Sequence, residues 1–371
     1  MFVAGRHKVK NIVVTFCFIA IIFGFMLANA IAPDAEYSFS ERRRLAEAPQ
    51  FSIEKLLEGD LFEQFEEYTL DQFVLRDTFR GIKAVGRYYL FGQKDNNRIY
   101  IIDGNISKIE YPLDERSVLN AAKKLNEIYA RYLEGMNVFY AIIPDKNYFL
   151  ASKHGYLSLD YDKMIEIMDR NVKNKKYIDL FGVLSIEDYY KTDIHWSQDR
   201  IIDVADVLLE AMGSEARASK AEYKREELYP FYGSYYGQAA LKLEPDTMVY
   251  LTNGTIENAV VYDHIDKTYS KVYMRDRFGT IDSYDVFLSG AKSLLTITNP
   301  ACKSGRELII FRDSFGSSIA PLLLEGYSKI TLVDLRYFAT DLLGEYIDFA
   351  QDQDVLFLYN TQILNNSAML K

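Results

Sequence analysis

The chain has 371 residues, of which 49% are hydrophobic and 26% are charged, a composition that is ordinary for a globular protein. This length exceeds that of a typical single domain, but it also fits one α/β core that carries an insertion. The formal net charge of −10 disfavours nucleic acid binding, which requires a basic surface.

The few cysteine and histidine residues argue against a disulfide framework and a structural metal. Cys17 lies in the apolar N-terminal segment, so Cys302 has no partner for a disulfide in the rest of the chain. The histidines show no spacing typical of zinc ligands. They are His7, His154, His195 and His264. We predict no metal and no cofactor, and we interpret His154 and His264 as loop residues.

An uncharged apolar run occupies residues 12–32. A helix of this length crosses a hydrocarbon layer of about 30 Å. We therefore predict a cytoplasmic tail at 1–10 and a transmembrane anchor at 11–32. The alternative is a cleaved signal peptide, because Ala28-Asn29-Ala30 resembles a cleavage site. We favour the retained anchor because the apolar run is longer than the core of a usual signal peptide.

The charges that flank this run predict its orientation. Arg6, Lys8 and Lys10 precede it, although three arginines at 42–44 follow it and weaken the asymmetry. The positive-inside rule places the N-terminus in the cytoplasm. The chain is then a single-pass protein of the cell membrane with an extracellular C-terminal domain.

The remainder divides into a helical N-terminal segment at 33–95 and an α/β domain at 96–371. In the first, apolar residues three and four apart are typical of amphipathic helices. In the second, short apolar strands separated by helices indicate a parallel sheet covered on both faces. A β-rich insertion is predicted at about 220–305. The strands are predicted at 138–144, 308–311, 330–333 and 355–358, and the helices at 115–134, 161–173, 197–212, 317–326 and 339–350.

Ser314 follows an apolar strand and precedes a helix. Ligands of open parallel sheets bind beyond the carboxyl ends of the strands, where this turn is predicted to lie. The helix N-terminus offers N–H groups to an oxyanion, and Gly316 would let the backbone approach a substrate. These features make Ser314 a candidate nucleophile. The alternative is that Ser314 or a neighbour only caps the helix.

Residues 192–197 read Thr-Asp-Ile-His-Trp-Ser. In an extended segment, residues two apart point to the same side, so Asp193 and His195 share a face while Ile194 points inward. A general base requires an imidazole and a carboxylate that orients it. Because the chain offers one well-placed base for Ser314, we predict His195 as this base and Asp193 as its carboxylate. A satisfied surface histidine is the alternative.

Together, the segment at 192–197 and the later block Phe-Arg-Asp-Ser-Phe-Gly-Ser-Ser at 311–318 resemble the DHHW family of Gram-positive bacteria. That family is similar to the SGNH-hydrolase-like proteins of alginate O-acetylation. The resemblance extends over about residues 38–360. Further matching segments lie at 40–46, 71–77, 143–146, 231–236 and 333–337.

This resemblance implies an SGNH-hydrolase-like three-layer fold in which the acid–base pair precedes the serine. It implies Ser314 as nucleophile, His195 as base and Asp193 as orienting carboxylate. It also implies an O-acetyltransferase or acetylesterase that acts on an exported polysaccharide beside a membrane-bound O-acyltransferase. The alternative is a non-catalytic, glycan-binding scaffold subunit of a polysaccharide acetylation complex.

Two departures from the family pattern concern the site. Ile194 replaces the family's first histidine, and residues 287–292 lack the Gly-Asn pair found in relatives. A lost oxyanion donor costs about 10²–10³-fold in rate in a protease. Asn360 or Tyr337 is a candidate substitute. Arg336 and Lys146 follow predicted strands and are candidates for substrate contact. The alternative for Arg336 is a surface ion pair with Asp334, and Lys146 has the same ambiguity.

Overall fold

The structure is a computed structural model that describes residues 2–371, with side chains from residue 9 onward. Residue 1 and the side chains of residues 2–8, which make up most of the predicted cytoplasmic tail, lie outside the described residues. The chain divides into two compact units, Met1–Gln93 and Lys94–Lys371.

Helix α1 (Phe2–Ile31) dominates the first unit. Its segment Val9–Ile31 has a mean hydropathy of 2.5 and is long and apolar enough to cross a membrane. The remaining elements are strands β1 (Tyr37–Ser38) and β2 (Arg43–Arg44) and helices α2 (Ile53–Glu58), α3 (Asp60–Asp71) and α4 (Arg76–Val85), the last continuing as a π-helical turn at Gly86–Leu90.

Ion pairs join the β1–β2 region to α3 and α4. Arg43 binds the carboxylate of Asp71 with two guanidinium nitrogens, one of them at 2.7 Å, and Asp71 also accepts from the backbone N–H of Ala46. Arg76 pairs with Glu41 at 2.8 Å. These residues lie in the segments 40–46 and 71–77, which match the DHHW pattern. The two matching segments are therefore in contact in the structure.

The second unit contains a central sheet and two hairpins. Its strands are β3 (Ile99–Ile102), β4 (Asn105–Lys108), β5 (Asn137–Ile143), β6 (Lys176–Ile178), β7 (Lys224–Phe231), β8 (Asp246–Thr252), β9 (Val260–Asp263), β10 (Thr268–Ser270), β11 (Leu294–Thr298), β12 (Glu307–Arg312), β13 (Lys329–Val333) and β14 (Asp354–Asn360). Its helices are α5 (Glu115–Ile128), α6 (Lys146–His154), α7 (Tyr161–Asn171), α8 (Ile202–Ala211), α9 (Ser234–Ala239), α10 (Gly254–Asn258), α11 (Gly316–Leu323), α12 (Leu343–Tyr346) and α13 (Thr361–Leu364).

The central sheet has eight strands in the order β10-β9-β11-β13-β12-β14-β5-β6. The five strands from β13 to β6 are parallel, whereas β11, β9 and β10 extend the sheet as antiparallel strands. The carboxyl ends of β5, β12, β13 and β14 therefore meet at one edge. The predicted β-rich insertion supplies the antiparallel strands and the β7–β8 hairpin.

A hydrophobic layer covers each face of this sheet. Side chains of β12 alternate between the layers: Ile310 joins α8 and α11 on one face, and Ile309 joins α5 and α7 on the other. This alternation follows from the period-two geometry of a strand. The apolar strands are buried on both faces, which produces the predicted three layers.

Several elements differ from the sequence-based prediction. Helix α8 begins at Ile202, later than predicted, because residues 198–200 form a 3₁₀ turn. The helix predicted at 339–350 is only a 3₁₀ turn followed by the short α12. The pattern did not predict α6, α13 and β6, and His154 ends α6 rather than lying in a loop.

Because Ile310 is fully buried at the centre of the sheet, its truncation is expected to be costly. We expect Ile310→Ala to lower the free energy of unfolding by about 2–5 kcal/mol and Ile310→Val by about 0.5–1.5 kcal/mol. Urea unfolding followed by the fluorescence of Trp196, the single tryptophan, measures both changes. Equal values for the two variants would contradict the described packing.

Candidate active site

Ser314 lies in the turn between β12 and α11, at the sheet edge where the parallel strands end. The buried Asp313 carboxylate shapes this turn by accepting from the N–H of Phe315 at 3.0 Å and of Asn360 at 2.7 Å. Burial raises the pKa of Asp313. Because Asp313 makes these local bonds, the Ser314 hydroxyl does not cap the helix. The side chain of Ser314 is half-buried.

Asp193 and His195 lie in a loop that reaches the same turn. The Asp193 side chain is fully buried and His195 is 6% exposed, whereas Ile194 is half-buried. The two functional side chains share a side, as expected, but they face into the protein while Ile194 is more exposed than predicted. The turn that carries Ser314 packs over them.

The three predicted residues form a continuous hydrogen-bonded chain. His195 Nε2 lies 2.7 Å from Ser314 Oγ, and Nδ1 lies 2.6 Å from Asp193 Oδ1. Asp193 also accepts from the N–H of His195 at 2.9 Å and of Ser234 at 2.5 Å. With Nδ1 protonated toward the carboxylate, Nε2 is free to accept the serine proton.

Trp196 and Gln198 attach this loop to the helix that follows Ser314. Trp196 Nε1 donates to Ser318 Oγ at 2.8 Å, and Gln198 Nε2 donates to the carbonyl oxygen of Ser318 at 2.7 Å. Gln198 Oε1 accepts from the N–H of Leu251. The loop and α11 are thus held in register by buried hydrogen bonds.

Tyr284 packs directly on the imidazole. Its ring is parallel to that of His195 within 8°, with the ring centroids 3.8 Å apart. Its hydroxyl donates to Ser318 Oγ at 2.7 Å, and burial raises its pKa well above 10. The phenol therefore stays neutral, and its ring limits rotation of the imidazole.

Lys146 lies beneath the loop rather than at the rim of the site. Its ammonium nitrogen donates to the carbonyl oxygens of Tyr190 at 2.7 Å, Lys191 at 2.9 Å and Asp193 at 3.2 Å. Burial lowers the pKa of Lys146 to about 7, against the opposing effect of two aspartates. The structure thus gives Lys146 a buried position that supports the loop, rather than the position at the rim on which both of its interpretations were based.

Two further contacts fix the loop at Thr192. Asp246 accepts from the N–H of Lys191 at 3.0 Å and from the N–H and Oγ1 of Thr192 at 2.7 and 2.6 Å. Gly233 packs so closely that a Cβ there would lie 2.3 Å from the Thr192 carbonyl carbon. Only glycine allows this approach, which brings the Ser234 N–H to Asp193.

Gly316 and Arg336, both candidates for substrate contact, are engaged in contacts within the chain. A Cβ at Gly316 would lie 2.6 Å from the Cβ of Arg312, so this glycine makes room for a buried arginine. Arg336 binds Asp334 through Nε at 2.9 Å and Nη2 at 2.7 Å. The structure therefore favours the ion pair with Asp334 over substrate contact for Arg336, and this ion pair is mostly buried.

Asn360 and Tyr337, the two candidates for oxyanion donation, differ in accessibility. Asn360 is buried, donating from its amide to the carbonyl oxygen of Ile143 at 3.1 Å and accepting from the N–H of Gln362 at 2.9 Å. Its amide is therefore engaged within the chain. Tyr337 is 53% exposed, with the Arg336 guanidinium 5.4 Å from its ring centroid.

Backbone donors near Ser314 are largely used. The N–H groups of Phe315, Gly316 and Ser317 bond to oxygens of Asp313 and Ser314, contrary to the expectation of free amides at this helix start. The N–H of Ser314 itself makes no hydrogen bond with any residue that the structure describes. The amide of the candidate nucleophile is therefore the donor that this turn leaves unpaired.

The segment that lacks the Gly-Asn pair forms a tight turn. Leu288, Ser289 and Gly290 all have positive φ, at 54°, 60° and 83°. For the two non-glycine residues this conformation costs about 1–3 kcal/mol each. The turn leads to Lys292, whose carbonyl oxygen accepts from Arg312 at 3.3 Å. This segment thus reaches the strand that carries Ser314.

His264 lies outside the site, with Nε2 2.9 Å from Thr296 Oγ1, and burial lowers its pKa. Within the part of the chain whose side chains are described, no cluster of histidine, cysteine or acidic residues could hold a metal ion.

Comparisons with known proteins identify relatives of this chain. The family model of the DHHW protein matches residues 153–333. The predicted resemblance to the DHHW family is confirmed. No curated protein matches the chain closely enough to count as a relative.

Solved structures show the same fold. A DHHW family protein from Eubacterium siraeum is 24% identical, covers 74% of this chain and 95% of its own, and has a TM-score of 0.61. Bacillus cereus PatB1 with a sulfonyl adduct is 18% identical to this chain. The match covers 72% of this chain and 97% of PatB1, with a TM-score of 0.56. A second structure of PatB1 is 16% identical with the same TM-score. The predicted SGNH-hydrolase-like α/β fold is confirmed.

Sequence reasoning did not identify Tyr284, Gly233 and Asp246 as part of the site. Gly233 lies in a segment that matched the DHHW pattern, which was the available signal. Tyr284 and Asp246 lie in the β-rich insertion, where periodicity carries no information on contacts with a distant loop.

The buried position of Lys146 predicts a pH effect on stability. Its pKa is about 7 in the folded chain and near its ordinary value of 10.5 in the unfolded chain. Between these values the unfolded chain holds more protons, so the free energy of unfolding rises with pH by up to about 1.4 kcal/mol per unit. We expect Lys146→Met to lose this contribution, as measured by urea unfolding from pH 7 to 10.

The exposed Lys123 provides the matched control, because its ammonium group has no comparable burial. Lys123→Met should retain the pH slope of the unaltered chain. If Lys146→Met also retained it, the ammonium group of Lys146 would not titrate in this range.

Proposed function

We propose that this protein is a membrane-anchored, extracytoplasmic O-acetyltransferase or acetylesterase that acts on an exported polysaccharide through an acyl-Ser314 intermediate. The observation that carries the proposal is the hydrogen-bonded chain from Ser314 Oγ through His195 to the buried Asp193. A nucleophile, a base and an orienting carboxylate are the groups that acyl transfer requires. A membrane-bound O-acyltransferase is the proposed partner that supplies acetyl groups.

In the first half of the reaction, His195 Nε2 takes the proton of Ser314 as Oγ attacks the acetyl carbonyl carbon. Asp193 stabilises the imidazolium through the Nδ1–H bond. The bond from the carbonyl carbon to the donor oxygen then breaks, and the imidazolium returns its proton to that leaving oxygen. The acetyl group remains as an ester on Ser314.

In the second half, a sugar hydroxyl or water attacks the ester carbonyl while His195 accepts the attacking proton. The bond to Ser314 Oγ breaks, and the imidazolium protonates the serine. Transfer and hydrolysis share these steps and differ only in the acceptor. The unpaired Ser314 N–H supports oxyanion stabilisation from the backbone, where the family's asparagine is missing.

The relatives support the class of chemistry. The structure of PatB1, which shares the fold, carries a sulfonyl adduct. We propose that Ser314 reacts with a sulfonyl reagent in the same manner as other base-activated serines.

Membrane anchoring is supported by contacts of α1. Asn29 Oδ1 accepts from the N–H of Val74 at 2.8 Å, and the ring of Phe25 stacks on that of Phe73 with centroids 5.7 Å apart. Cleavage at Ala28-Asn29-Ala30 would remove these contacts from the first unit. They favour an anchor that is retained in the mature protein.

Ser314→Ala should abolish the enzymatic signal because no other described hydroxyl contacts Nε2 of His195. We expect the full chain in detergent to hydrolyse p-nitrophenyl acetate and to gain one sulfonyl group from phenylmethylsulfonyl fluoride, as measured by intact mass. Ser314→Ala should lose both, with the hydrolysis rate falling by at least about 10³-fold.

Ser317 provides a matched control, since it lies one helical turn away and its Oγ is buried without a hydrogen-bond partner among the described residues. Ser317→Ala should retain both signals. Equal rates for the unaltered chain and Ser314→Ala would remove this serine from the mechanism.

Tyr284 should contribute through its ring rather than its hydroxyl. An aromatic face against a cation is worth about 0.5–2 kcal/mol, so loss of the ring in Tyr284→Leu should lower kcat by about 2- to 30-fold with little change in KM. Tyr284→Phe retains the ring and should restore most of kcat. Steady-state hydrolysis of the acetyl ester measures both, and an equal loss in the two variants would assign the effect to the Ser318 hydrogen bond instead.

The second candidate function is a non-catalytic, glycan-binding scaffold. The absence of the Gly-Asn pair at 287–292 and the engagement of the Asn360 amide within the chain favour it. A scaffold would bind glycan equally well after replacement of Ser314, and it would show neither hydrolysis nor a sulfonyl adduct.

A further inference from the structure

We infer that α4 lies in the outer boundary of the bilayer and presents an apolar stripe to the lipid acyl chains. The α4 stripe consists of Leu75, Phe79 and Ile82 and continues past the helix end with Tyr89 and Leu90. The inference rests on the retained anchor proposed above and adds a second membrane contact to it.

Contacts between α1 and the start of α4 determine the depth of the stripe. Phe25 of α1 packs on Phe79 with ring centroids 5.7 Å apart, as it does on Phe73. Asn29, one turn later, binds Val74. All these contacts involve the last two turns of the apolar segment rather than residues beyond it.

The dimensions of α1 place these contacts inside the hydrocarbon. Val9–Ile31 has 23 residues and is about 34 Å long, against a hydrocarbon thickness of about 30 Å. About 4 Å at most therefore extends beyond the hydrocarbon. Phe25 lies six residues before Ile31, or about 9 Å along the axis, so it is at least about 5 Å inside. Interfacial helices bury their apolar faces to about 5–10 Å.

The α4 stripe is exposed within the described chain. Its residues are between 43% and 76% exposed. Phe79 and Ile82 lie three positions apart on one side of α4, Leu75 directly precedes the helix, and Tyr89 and Leu90 lie in the π-helical turn that follows it. A soluble surface rarely collects so many large apolar side chains. At the depth set by Phe25, the medium around such a surface is lipid.

Three charged residues at the start of α4 bond to partners within the same unit. Arg76 pairs with Glu41 at 2.8 Å, and Arg80 donates to Asp77 at 3.1 Å. Asp77 in turn accepts from Ser40 at 3.0 Å. These bonds direct the charges toward the β1–β2 region of the same unit. Insertion of the stripe would therefore not bury these three charges without a partner.

A lipid surface is favoured over a protein partner because the contact with α1 already fixes the stripe at bilayer depth, where acyl chains are the default neighbours. A second copy of the chain or another membrane protein would have to displace those lipids. These occupants become outcomes of the test.

The test uses the full chain, reconstituted alone in nanodiscs of phosphatidylcholine and phosphatidylglycerol, with a nitrobenzoxadiazole probe on single cysteines. Leu75→Cys and Ile82→Cys, in a background with Cys17→Ser and Cys302→Ser, report on the stripe. Asp77→Cys is the matched control on the opposite side of α4. Native Cys17, retained with Cys302→Ser, reports insertion of α1.

We expect the probes at positions 75, 82 and 17 to show blue-shifted emission and at least threefold quenching by nitroxide-labelled lipids. The probe at position 77 should respond instead to aqueous iodide. Lys123→Cys in α5, in the cysteine-free background, gives the reference for a water-exposed probe.

Each other outcome overturns the inference in a distinguishable way. Quenching at Cys17 with iodide access at 75 and 82 would place the stripe in water and leave the anchor intact. Protection at 75 and 82 from both quenchers would indicate coverage by a second copy of the chain. No lipid quenching at Cys17 would refute the anchor itself, whereas the acyl chemistry is tested separately by Ser314→Ala.

Discussion

The hydrogen bond between His195 Nε2 and Ser314 Oγ, 2.7 Å long, is the interaction on which the site depends. It joins positions 119 residues apart, so neither element can place its group without the rest of the unit. The sheet fixes Ser314 because β12 lies between two parallel neighbours. The loop with His195 has no such strand, and its position comes from contacts with several other elements instead.

Those contacts explain why so many polar groups are buried around this loop. Lys146 contributes three donors from below, Asp246 accepts three bonds from the side, and Gly233 admits a backbone close enough to reach Asp193. Buried charges cost desolvation energy, which these bonds offset only because almost every donor meets an acceptor. In return, the imidazole and the carboxylate are oriented before a substrate arrives, which is how preorganised polar groups lower a barrier.

Local patterns were sufficient to predict the fold class, the strand–turn–helix around Ser314 and the pairing of Asp193 with His195. The remaining features depend on tertiary contacts, which local sequence patterns do not reveal. Helix α8 begins late because Gln198 is drawn into bonds with Ser318 and Leu251, which no helical periodicity reveals. Lys146 follows a strand, as a residue at the rim of the site would, yet its ammonium group is buried and donates to three backbone carbonyl oxygens. Tyr284 lies in a 3₁₀ turn of the insertion, and the strand pattern predicted there gives no information on its contact with the imidazole.

The two parts of the proposed function depend on separate parts of the chain. The chemistry rests on groups that all lie within the unit from Lys94 to Lys371, whereas the location rests on α1 and α4 of the first unit. Within the candidate site, the Ser314–His195–Asp193 chain is fully hydrogen-bonded, whereas the proposed oxyanion stabilisation rests on the Ser314 N–H because the Asn360 amide is bonded to Ile143 and Gln362. A site with a complete base and few oxyanion donors should activate the serine readily and stabilise the tetrahedral intermediate less well. In the proposed mechanism, the rate should therefore depend more on the reactivity of the acyl donor than on the base, which favours an activated acetyl donor over a stable ester.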